Sequence, residues 1–148
     1  MKILVIVAVA TLVAGVAHAQ MDGRAPQGKV FKFFDTFIRD NDMKGAYADL
    51  FRGSTVEQKK DEVERLHKQT RAALTAYGNP QGYEVFVEEK FGASIVRIIA
   101  VMKFEKHPLI WEFYFYKPRA EWLLAHVRFS DHFEMLRNRW FDSDFIRH

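Results

Sequence analysis

The chain has no cysteine among its 148 residues. That removes disulfides, thiol catalysis and cysteine-based zinc sites. Glycine-rich phosphate loops, a serine elbow and the H-E-x-x-H pair of zinc enzymes are also missing, and with them the usual signals of nucleotide binding and hydrolysis. There is no internal repeat and no low-complexity stretch. Charge of one sign is scarce too: the net value is only +3, with Lys, Arg, Asp and Glu interspersed. A nucleic-acid partner calls for a concentrated basic surface, so none is expected.

The one long apolar run lies at the start. "MKILVIVAVATLVAGVAHAQ" has Lys2 before an apolar stretch from Ile3 to Ala17 and ends in the small-x-small triplet Ala17–His18–Ala19. This is the pattern of a secretory signal peptide. The run is shorter than the ~20 residues that cross a bilayer, so cleavage before Gln20 is expected, with no stable membrane anchor afterwards. No cysteine follows it to take a lipid. An exported domain without disulfides suits a bacterial periplasm better than a eukaryotic secretory route. The expected organisation is a signal peptide at 1–19, a flexible tail at 20–28 and a single domain at 29–148.

The mature chain is of ordinary one-domain size, enough for one hydrophobic core without covalent staples. Its first half has a helical period. Val30, Phe33, Phe34, Phe37 and Ile38 make one apolar stripe, and Tyr47, Leu50 and Phe51 make the inward side of a second helix over Met43 to Phe51. "STVE" (Ser54 to Glu57) reads as a capping box that starts a third helix running to Tyr77. That helix has Val56, Val63, Leu66, Thr70, Leu74 and Tyr77 along its seam, and "GNPQG" ends it.

From Tyr83 the period changes to two. Four strands are expected over Tyr83–Glu89, Ser94–Glu105, Leu109–Lys117 and Trp122–Ser130, joined by hairpin turns. If Lys106 and His107 form a two-residue loop, Met102 faces Trp111 and Ile98 faces Phe115. Pairing Tyr116 with Trp122 then puts Phe113 opposite Ala125, Trp111 opposite Val127, and Glu112 opposite His126. One face carries no charge: Val96, Ile98, Ala100, Met102 and Phe104; Leu109, Trp111, Phe113 and Phe115; Leu123, Ala125, Val127 and Phe129. The other is mixed, with Arg97, Glu112, Tyr114, Tyr116, His126 and Arg128 among Ile99, Val101, Ile110 and Leu124. A slip of one residue would mix the two sets. Helices followed by a meander of strands make the class α+β, with the N-terminal helices packed on a curved four-stranded antiparallel sheet. The C-terminal segment from Ser130 to Phe141 reads as a last helical turn or two, with Asp131 as cap.

Three helices, a Pro/Gly turn and then the hairpin "LIWEFYFYKPRAEWLLAHVRFSD" resemble the nuclear-transport-factor-2-like, or cystatin-like, superfamily, in particular its small exported bacterial members. The resemblance spans Lys29 to Asp131. It implies a cone between sheet and helices, and dimerisation through the sheet. The superfamily also includes ketosteroid isomerase and related cyclases, whose chemistry needs a carboxyl group inside the cone. Here the inward sheet face offers none, and the nearest helix acids, Asp35 and Asp49, fall on or beside polar stripes.

The candidate sites follow from the two faces. Phe34, Tyr47, Tyr83, Trp111 and Phe113 are the candidates for lining a pocket for a small apolar ligand. Arg97, Glu112, Tyr114, Tyr116, His126 and Arg128 are the candidates for an outer interface with a second copy. Glu112 and His126 are read as a surface cross-strand pair of the kind worth roughly 0.2–1 kcal/mol. No catalytic residue, metal or cofactor is expected. The functional expectation is an exported, non-catalytic binding protein, homodimeric through the outer sheet face. An isomerase or cyclase with an acid in the cone is the alternative.

Overall fold

The computed structural model describes residues 22–134 and 136. The expected signal peptide, Gln20 and Met21 of the tail, and most of the C-terminal segment, Trp140 included, lie outside the described residues. The first helix, α1 (Pro26–Ile38), begins inside the segment expected to be a flexible tail. Pro26 at its first position explains the early start, because proline's fixed φ suits a helix and its missing N–H would have no partner there. Asp42 caps α2 (Met43–Phe51) by accepting from the Gly45 amide at 2.8 Å.

The "STVE" box behaves differently from its expected form. Ser54 Oγ donates back to the Phe51 carbonyl at 2.6 Å, and Glu57 accepts from the Gly53 amide at 2.8 Å. These bonds close a short 3₁₀ turn, Thr55–Gln58, and α3 (Lys60–Tyr77) starts only after it. Leu66, Thr70 and Ala73 form the buried seam of α3, with Val63, Leu74 and Tyr77 packed beside them.

Four strands follow: β1 (Pro80–Phe91), β2 (Ile95–Phe104), β3 (Leu109–Tyr116) and β4 (Leu123–Ser130). They form one antiparallel sheet in chain order, with the helices against one face. The β2–β3 register differs from the expected one by two residues. Met102 pairs with Leu109, Ala100 with Trp111 and Ile98 with Phe113. The connection from Met102 to Leu109 is thus longer than a two-residue loop, since Phe104 still pairs with Pro80 of β1. A shift of two leaves every side chain on its expected face.

The β3–β4 pairing has a second departure. Tyr116 pairs with Leu123 and Phe115 with Leu124, and then the register shifts so that Tyr114 meets His126 and Phe113 meets Val127. Ala125 is the extra residue of a β-bulge, and the residues before it, Leu123 and Leu124, lie on faces exchanged from the expected ones. Leu124, expected outside, is 2 % exposed in the main core, whereas Ala125 is exposed. A second bulge in β1 leaves Phe86 without a partner and 49 % exposed, and puts Val87 on the outer face, buried against Ile99.

Candidate binding surface

On the inner face, the five residues proposed to line a pocket pack against one another and their neighbours. Phe34, Tyr47, Trp111 and Phe113 are all 0 % exposed. Phe33 reaches Trp111 and Phe113 with ring centroids at 5.3 and 5.9 Å, and Phe34 stacks on Tyr83 at 4.8 Å. Aromatic rings at these spacings are in direct contact, so these five side chains pack on one another and their neighbours, while clefts of about 330 and 360 Å³ lie at the margins, one lined by Phe33, Leu50 and Leu123 and the other by Ala73, Leu109 and Phe129. Two polar side chains of this interior are turned on one another, whereas Trp111 Nε1 is buried with no hydrogen-bond partner among the described residues. Tyr47 and Thr70 share a hydrogen bond of 2.8 Å, and Thr70 also donates to the Leu66 carbonyl. Burial raises the Tyr47 phenol far above its ordinary range. His67 packs on the Tyr47 ring, its Nε2 is buried without a hydrogen bond among the described residues, and desolvation holds its pKa below the usual value.

Among the described residues, the acids that isomerase-type chemistry would need are elsewhere. Asp35 pairs with Arg39 at 3.4 Å and accepts from Tyr83, whose phenol is pushed up to about 12 by burial and by that carboxylate. Asp49 lies between Lys32 at 2.7 Å and Arg52 at 3.2 Å.

Pairing organises the outer face into rows that cross all four strands. Val87, Ile99, Glu112 and Arg128 form one row, Glu89, Arg97, Tyr114 and His126 the next, and Phe91, Ile95, Tyr116 and Leu123 the last before the turns. Glu112 faces Arg128, not His126 as expected, because the β3–β4 register is two residues away from the one read in the sequence. Nor is it a surface pair. The Glu112 side chain is 1 % exposed and accepts from Arg97 Nε at 2.7 Å and from Arg128 Nε at 2.5 Å. Arg97, itself buried, also reaches Glu89 at 3.0 Å and lies over the Tyr114 ring. Desolvation pushes the Glu112 carboxyl up, but the two arginine hydrogen bonds outweigh it and leave the group below the ordinary carboxylate range.

Of the six outer-face candidates, Arg97 and Glu112 are therefore buried and Tyr114 is half-buried. Tyr116, His126 and Arg128 are accessible. Leu136, beyond the last strand, packs on Val87, Ile99, Val101 and Ile110 and covers that part of the face. The last row is open: Phe91 is 50 %, Ile95 39 % and Tyr116 47 % exposed. Phe91 and Ile95 were not singled out from sequence, although both continue the outward alternation up to a turn, where charged residues would be ordinary.

Next to this row, on the turn between β3 and β4, Lys117 lies over the Trp122 ring at 5.5 Å. Both line a surface cleft of about 520 Å³ with Arg24, Lys29, Asp22 and Glu121. Among the described residues no three His, Asp or Glu side chains converge as metal ligands, and no helix is long and apolar enough to cross a membrane. No protein-family model matches the chain, and neither a curated protein nor a solved structure was found to be similar to it.

Proposed function

We propose that this chain is an exported, non-catalytic binding protein whose recognition surface is the outer face of the sheet. The observation that carries this reading is the contrast between the faces: an interior packed with aromatic rings, and an outer row of half-exposed Phe91, Ile95 and Tyr116. Monomers seldom leave contiguous large apolar side chains in water without a use for them. The leader-like N-terminus supports export, and the order of helices and strands supports the nuclear-transport-factor-2-like reading.

The alternative, an isomerase or cyclase, requires a carboxyl group held in the interior with a raised pKa. Asp35 and Asp49 are instead in surface ion pairs, and Glu112 is on the other face with its pKa lowered. The geometry favours binding over proton abstraction, and a partner at the outer face over a small apolar ligand inside. Native mass spectrometry of protein purified from its own host tests this. The expected result is a mature chain beginning at Gln20 with no retained small molecule. A stoichiometric apolar ligand, displaced by Phe34→Trp or Phe113→Trp substitution, would return the function to the interior.

A further inference from the structure

The two hairpin turns that end the open row, Gly92–Ser94 between β1 and β2 and Lys117–Trp122 between β3 and β4, lie at the same end of the sheet. This end combines exposed apolar side chains with cations. Lys117 and Arg119 are on one turn and Lys90 precedes the other, while Arg24 and Lys29 share the adjoining cleft with Lys117. Lys90 is ion-paired with Glu88 at 3.9 Å, and Glu89 in the neighbouring row is held by Arg97, so the other four cations stand here against Asp22 and Glu121. At the opposite end of the sheet the balance reverses, with Lys103 and Lys106 against Glu84, Glu105, Asp131 and Glu134. Among the described residues Arg24, Lys29, Lys117 and Arg119 form no ion pair with a carboxylate. Half-exposed apolar side chains with Lys and Arg at the same end of the sheet are a composition that settles at a lipid–water interface. There, aromatic rings enter the headgroup layer while cations meet lipid phosphates.

We propose that this end of the sheet docks reversibly on an anionic lipid surface, with Phe91, Ile95 and Tyr116 entering the headgroup layer and Lys117 and Arg119 facing lipid phosphates. The inference rests on the outer-face reading above and names the partner of its open end. Each Lys or Arg near such a surface adds a modest, salt-screened attraction, so binding is weak, additive and lost at high ionic strength. A second copy is the rival occupant, and the experiment separates the two.

Mature protein is sedimented with vesicles of phosphatidylglycerol and phosphatidylcholine (1:3) and with phosphatidylcholine alone, at low and high salt. Binding is expected only to the anionic vesicles, falling at least tenfold in high salt and at least tenfold in the Lys117→Glu/Arg119→Glu double variant. Phe91→Ser/Tyr116→Ser is expected to weaken it at least fivefold. Lys106→Glu, the same charge change at the opposite end, is expected to leave it within twofold, and thermal melts confirm that each variant is folded. Equal loss in Lys106→Glu, or no binding by the wild-type chain, overturns the proposal. If the wild type ignores vesicles but self-associates in a manner abolished by Phe91→Ser/Tyr116→Ser, the lipid surface is wrong and the outer-face reading stands. If those substitutions change neither assay, both fall.

Discussion

Glu112 shows how much a single residue can depend on its surroundings. In sequence it is one acid in an alternating strand, and a surface pair is the ordinary reading. In the fold it is a fully buried carboxylate held by two arginines, one of them also buried. A buried pair of this kind is a poor source of net stability, but removing one member leaves the other charge stranded. Glu112→Gln is expected to destabilise the protein by about 3–5 kcal/mol in urea or thermal unfolding. The pH dependence has a definite sign. The folded carboxyl has the lower pKa, so on acidification the unfolded chain takes up the proton first. The stabilisation is present above the unfolded value near 4.5 and disappears as pH falls through the folded one. The Gln variant is expected to lack this acid limb, and a melting temperature that falls in parallel for both proteins would contradict the assignment.

At the scale of the element, the faces of β2 and β3 were legible because alternation has a period of two and the register error was also two. Met102 meets Leu109 where Trp111 was expected, yet each side chain keeps its face. The first residues of β4 are not legible in the sequence, because a bulge leaves no mark in a hydrophobic pattern. Leu123 and Leu124 are chemically identical neighbours, and only pairing with Tyr116 and Phe115 decides which is inside. Leu124→Ala is therefore expected to cost about 2–5 kcal/mol, as for other buried leucines, and Leu123→Ala, half-buried, less than half as much. The reverse order in denaturant unfolding would place the bulge elsewhere. The end of α3 is a simpler case. Gly78, at φ +85°, lets the chain leave the helix in a conformation that other residues avoid, and its amide still bonds the Leu74 carbonyl.

For the whole molecule, area decides what kind of association the outer face can support. Phe91, Ile95 and Tyr116 are each roughly half exposed, which offers on the order of 200–350 Å² per molecule. A standard stable interface needs about 800 Å² from each partner. Self-association through these residues alone is thus expected to be weak. Sedimentation velocity should report a monomer at low micromolar concentration, and a dimer that persists there would require an interface larger than this row. The small area suits a reversible contact, in which charge at the turns supplements what the apolar row contributes.

The amino-acid order alone determined the class of fold, the places where helix gives way to strand, and the separation of a neutral face from a mixed one. Each of these follows from local periodicity, which any stretch of ten residues displays. Tertiary structure decided which residues of equal parity pair, where an extra residue is accommodated, and which part of the mixed face is covered. It closed the interior around Phe33, Phe34 and Trp111, sank Glu112 beneath two arginines, and left Phe91, Ile95 and Tyr116 in water. Those outcomes depend on contacts between residues far apart in the chain, whose energies no local pattern contains.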